Sequence, residues 1–87
     1  MKIKSGFIVR ELAGEYVVVA LGEASKIFNG IIKLNETGKF IWDGLTLGKE
    51  KDEIIQGMLK EYDVEREQVE ADYDRFVNTL KGASILE

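Results

Sequence analysis

Residues Gly30 to Leu45, Gly-Ile-Ile-Lys-Leu-Asn-Glu-Thr-Gly-Lys-Phe-Ile-Trp-Asp-Gly-Leu, leave the chain the least conformational choice, because an apolar strand-forming run passes into a helix-forming one with nothing between them to make a loop. Asn35 stands at the junction. Its side-chain oxygen can accept a hydrogen bond from a backbone N–H of the first helical turn, and Glu36 places negative charge near the positive end of the helix dipole. A strand that ends in a helix cap suits the border of a small sheet. Such a border can receive another chain.

The rest of the pattern completes a small α+β domain. Phe7 to Leu12 and Glu15 to Ala20 are rich in β-branched and aromatic residues, and Ala13-Gly14 separates them as a two-residue hairpin turn would. Leu21 to Lys26 reads as a loop, and Ile27 to Leu34 as a third strand weakened or bulged at Asn29-Gly30. The second strand does not alternate: Tyr16-Val17-Val18-Val19-Ala20 calls for cover on both sheet faces, from a terminus, a second subunit or a partner. Three helices follow. The first spans Glu36 to Leu45, and its apolar residues Phe40, Ile41, Trp42 and Leu45 occupy about 200° of the circumference, as in a sandwiched helix.

The second predicted helix runs from Lys51 to Tyr62 with Ile54, Ile55, Met58, Leu59 and Tyr62 on one face, and Gly57 inside it costs roughly 1 kcal/mol against alanine. The third runs from Glu65 to Lys81, with Asp63 as a candidate cap, an apolar stripe of Val69, Tyr73, Phe76, Val77 and Leu80, and Gly82 suited to the left-handed position after the helix. Ile85 and Leu86 can fold back onto the core. The expected architecture is one winged-helix-like domain over residues 1–87, a three-stranded antiparallel meander followed by three helices.

Composition narrows the chemistry. At 87 residues, 45% hydrophobic and 32% charged, the chain is an ordinary globular one. It has no cysteine and no histidine, which removes thiolate chemistry, disulfides, the usual general base and the commonest metal ligand. No catalytic residue, cofactor or metal site is expected. The net charge of −4 is spread without basic blocks. Glu65 to Lys81 holds five acids and three bases, a poor match to a nucleic-acid phosphate backbone. Nothing resembles a signal peptide or a bilayer span, so the expected location is the cytoplasm, without a membrane partner.

The segment Leu34-Asn35-Glu36-Thr37-Gly38, followed by Ile41-Trp42, resembles the Leu-Asn-Glu-Thr-(Ala/Gly) signature of the PqqD family, whose founding members assist pyrroloquinoline quinone synthesis. The likeness extends to Glu61-Tyr62-Asp63-Val64 at the end of the second helix, and to Leu80-Lys81-Gly82 before the tail Ile85-Leu86. Ala20 stands where many relatives have proline, and Glu50 where threonine or serine is usual. The resemblance implies a stand-alone RiPP recognition element, a non-catalytic chaperone that captures the leader of a ribosomally made precursor peptide. The leader would add beside the third strand, with the third helix as the opposite wall. A radical SAM or other modifying enzyme would then act on the core peptide.

Energetics agree with an apolar groove. About four to six ladder bonds at a net ~1 kcal/mol each fall short of an association cost of roughly 4 to 15 kcal/mol. Two or three buried apolar leader side chains would bring the balance towards micromolar affinity. Asp72, Arg75, Phe76 and Thr79, with Gln68 nearby, are the candidates for the helix wall. On the strand, alternation separates Ile32 and Leu34 from Ile31 and Lys33; either pair could reach the bound peptide, and the second is preferred. Each residue also has a plainer role: Lys33 as an edge guard, Phe76 and Trp42 as core, Asp72 and Arg75 as a solvated helix face, Asn35 as a cap. The competing functions are a structural dimer module without a peptide ligand and a winged-helix nucleic-acid binder.

Overall fold

Two β-branched runs joined by a tight turn open the chain. In the computed structural model, which describes residues 2–28 and 30–87, β1 (Phe7–Leu12) and β2 (Glu15–Ala20) pair antiparallel from Phe7↔Ala20 to Leu12↔Glu15. Both turn residues have positive φ, +52° at Ala13 and +83° at Gly14, the twist that a two-residue hairpin requires. β3 (Ile32–Leu34) pairs with the other side of β2 through Tyr16↔Leu34, Val17↔Lys33 and Val18↔Ile32. The sheet order is β1-β2-β3, so β2 is central and β3 forms a border.

The connection into β3 differs from expectation. Ala24–Ile27 forms a short helix, α1, closed by Ser25 Oγ donating to the Gly22 carbonyl at 2.6 Å and by the Phe28 N–H bonding to Ala24 O. Ile27 therefore belongs to a helical turn, and β3 is three residues long instead of eight. The expected bulge at Asn29-Gly30 falls partly on Asn29, outside the described residues. Both faces of β2 hold a buried side chain, as its sequence requires, one in the core shared with the helices and one on the opposite sheet face. Val18 is fully buried in the main core, while Val17, 5% exposed on the other face, stands between its cross-strand neighbours Arg10 and Lys33.

Three helices complete the chain: α2 (Glu36–Thr46), α3 (Lys51–Glu61) and α4 (Arg66–Gly82). Asn35 caps α2 as expected, its Oδ1 accepting from Gly38 N at 2.8 Å and Thr37 Oγ1 at 3.0 Å. The residue before α4 is Glu65, not Asp63, and its side chain makes no cap bond. Gly82 lies inside α4. The left-handed position after the helix is taken by Ser84 (φ +60°), whose N–H bonds to Lys81 O while Ile85 N–H bonds to Leu80 O. That reversal turns Ile85 and Leu86 into the core, where Leu86 bridges to Ile3.

The core joins the inner sheet face to the helices through Val18, Leu34, Ile41, Trp42, Ile54, Ile55, Met58, Tyr73 and Leu80. α2 packs against β3, α3 and α4, which explains its broad apolar arc. Gly44 lets it approach α3: a Cβ there would lie 2.6 Å from Ile54 Cγ1. Gly57 plays the same part in α3, where a Cβ would lie 2.9 Å from Phe40 Cζ.

Two stability measurements check this account. Asn35→Ala should lower the unfolding free energy by about 1 kcal/mol in urea melts. Gly44→Ala should lower it by about 1 to 2 kcal/mol, because overpacking against Ile54 outweighs the ~1 kcal/mol gained in helix propensity.

Candidate functional site

A strand border next to a helix leaves a trough unless side chains fill it. Here the outer side of β3 faces α4 across a groove of about 520 Å³. Ile32, Lys33 and Leu34 form the strand wall. Asp72, Arg75, Phe76 and Thr79 form the helix wall, at the i, i+3, i+4, i+7 spacing that puts them on one face of α4. The first turn of α2 closes one end with Asn35, Thr37 and Gly38, Ile41 lies beneath, and Glu15 of β2 reaches the rim.

The floor is apolar and the rims are charged. Leu34 and Ile41 are buried, and Ile32 and Phe76 half-buried. A Cβ at Gly38 would stand 3.1 Å from Asn35 Oδ1, 3.6 Å from Phe76 Cε1 and 3.7 Å from Leu34 Cδ2, so its absence keeps the floor low. On the strand rim Lys33 pairs with Glu15 at 3.5 Å. On the helix rim Arg75 pairs with Asp72 at 3.5 Å, and Asp72 also accepts from Gln68 Nε2 at 3.0 Å. Thr79 donates its hydroxyl to Arg75 O. Two acids and two bases balance, leaving a groove that selects neither polyanions nor polycations.

Five of the six residues proposed from sequence, Lys33, Asp72, Arg75, Phe76 and Thr79, line this groove together. Ile31 does not: it precedes β3 and is 65% exposed. Ile32 and Leu34, the less favoured alternation pair, are the strand residues on the floor. Alternation alone gave no means of telling which set faced the helices. Asn35 is both cap and groove residue, and Glu15 arrives through a pairing register that its local sequence does not display.

Among the described residues no group of His, Cys, Asp or Glu could hold a metal ion, and no helix is long and apolar enough to cross a membrane. The family model described as Coenzyme PQQ synthesis protein D (PqqD) matches residues 15–86. The chain belongs to the PqqD family. Among solved structures, this PqqD-family chain is similar to TbiB1 in complex with the TbiA(beta) leader peptide, with 30% identity and a TM-score of 0.79 over 100% of this chain and 95% of that one. It also shares its fold with a lasso peptide synthetase B1 complexed with the leader peptide, at 23% identity and a TM-score of 0.74 over 93% of this chain and 89% of that one. No curated protein matches by sequence.

The exposed ion pairs on the two rims contribute little to folding. Lys33→Ala and Arg75→Ala should each change the unfolding free energy by less than about 1 kcal/mol in urea melts.

Proposed function

We propose that the groove captures the leader of a ribosomally made precursor peptide, which adds as a fourth strand along β3 with α4 as the opposite wall. The chain then presents the peptide to a modifying enzyme, such as a radical SAM protein, in the cytoplasm, and performs no catalysis itself. The observation that carries this reading is a free β3 border facing an apolar-floored groove, in a fold shared with two proteins solved with leader peptides. The reading needs no second copy of the chain.

The length of β3 sets how the leader would be held. In a strand every second residue turns its N–H and C=O to a given side, so Ile32–Leu34 offers about two to four ladder bonds. At a net ~1 kcal/mol each they supply only a few kcal/mol against an association cost of roughly 4 to 15. Micromolar capture, about −8 kcal/mol, must therefore come chiefly from apolar leader side chains set between Ile32, Leu34 and Phe76, at roughly 1.5 to 3 kcal/mol each. Main-chain pairing fixes direction. Side chains supply affinity.

Calorimetric titration tests this with synthetic leaders taken from any short precursor peptides read in the genes neighbouring this one. Thr79 is exposed on the helix wall, so Thr79→Trp fills the groove without disturbing the core. It should weaken capture at least about tenfold, the equivalent of 1.4 kcal/mol, at unchanged thermal stability. Undiminished binding by that folded variant would place the leader elsewhere. Failure of the unaltered protein to bind would return it to a structural role.

A further inference from the structure

Three aromatic rings surround a second recess, on the opposite side of α2 from the groove. Tyr16 of β2, Phe40 of α2 and Tyr62, just beyond α3, line about 400 Å³ of space that shares no residue with the groove. Phe40 and Tyr62 meet edge to face with centroids 6.0 Å apart, and all three rings are half-buried.

The charge around these rings is one-sided. Glu36, Asp43 and Glu61 contribute three carboxylates against the single ammonium of Lys39. Lys39 pairs with Asp43 at 2.6 Å, whereas Glu36 and Glu61 have no ion-pair partner among the described residues. Glu36 has a local reason to be acidic, since it sits in the first turn of α2. Glu61 has the opposite: it is the last residue of α3, where the helix dipole disfavours negative charge. Both carboxylates act at the recess, because after burial it is their fields that raise the Tyr62 hydroxyl pKa above its ordinary value. The recess also shows how a cation sits in it, with Lys39 Nζ 5.2 Å from the Tyr16 ring centroid.

We propose that this recess docks an arginine side chain of a partner protein, its guanidinium laid against the Phe40–Tyr62 rings and paired with Glu36 and Glu61. Arginine fits better than lysine because its planar cation stacks on rings while its fork of donors serves two carboxylates at once. Burial of the rings beneath it supplies the apolar contact that a solvent-exposed ion pair lacks. The inference does not depend on what fills the groove. Because α2 stands between the two sites, both can be occupied together.

The test uses the full ¹⁵N-labelled chain titrated with N-acetyl-arginine amide, and with N-acetyl-citrulline amide as its neutral isostere. The arginine probe should shift the amides of Tyr16, Phe40, Glu61 and Tyr62, saturating in the millimolar range, and leave those of β3 and α4 in place. The citrulline probe, and the arginine probe on Glu36→Gln/Glu61→Gln, should bind roughly tenfold more weakly, the loss expected when a cation–π contact and its carboxylates are removed. Equal response to both probes overturns the proposal, as do shifts confined to the groove. Self-association of the chain that disappears in the double variant would assign the recess to a second copy and also overturn it.

Discussion

The hydrogen bonds to Asn35 Oδ1 are the constraint on which the rest of the structure depends. With no loop between β3 and α2, one residue must end a sheet ladder, turn the backbone and satisfy the first free N–H groups of a helix. Extended backbone at Asn35 (φ −81°, ψ −177°) and the bond from Gly38 N accomplish all three, and the Thr37 hydroxyl donates to the same oxygen. The direction of α2 relative to the sheet border follows. Thr37, Gly38 and Ile41 are turned to the groove, while Glu36, Lys39, Phe40 and Asp43 are turned to the recess on the other side. A single cap thus positions residues in both cavities.

A border strand of three residues is a weak template for indiscriminate pairing, and Lys33 on its rim weakens it further. The same brevity means that a backbone ladder alone cannot retain a ligand, so recognition passes to the side chains of the floor. Reduced risk of aggregation and increased dependence on ligand sequence have one cause. The paired rim charges fit this arrangement, since a net field over the groove would attract chains by charge without regard to their apolar residues.

Elements with a strong local signal were legible in the sequence: the Ala13-Gly14 hairpin, the Asn35 cap and the three long helices lie where propensity and periodicity put them. The helix wall was legible for the same reason, because Asp72, Arg75, Phe76 and Thr79 are held together by helical spacing alone. The strand wall was legible only at Lys33. Choosing Ile32 and Leu34 over Ile31 requires knowing which way β3 pairs with β2, and that register is a tertiary fact. α1 was hidden because its closing interactions, Ser25 to the Gly22 carbonyl and Phe28 N–H to Ala24 O, leave no periodic pattern over four residues. Ser84 in place of Gly82 at the left-handed position shows α4 continuing past the residue best suited to end it, so that Ile85 arrives in the core in the correct phase.

The glycines of α2 and α3 show what the fold gives up to hold this geometry. Gly38, Gly44 and Gly57 each forfeit about 1 kcal/mol of helix propensity, together about 3 kcal/mol in a domain whose total stability is of order 5 to 15. Each has a neighbour that a methyl group would meet: Asn35 Oδ1 and Phe76 at Gly38, Ile54 at Gly44, Phe40 at Gly57. The neighbours of Gly38 belong to the groove, that of Gly57 to the recess, and that of Gly44 to the contact holding α2 against α3. Helix propensity is therefore surrendered at the points where α2 and α3 must be thin. A methyl group at Gly38 of α2 would narrow the groove, and one at Gly57 of α3 would displace the Phe40 ring of the recess.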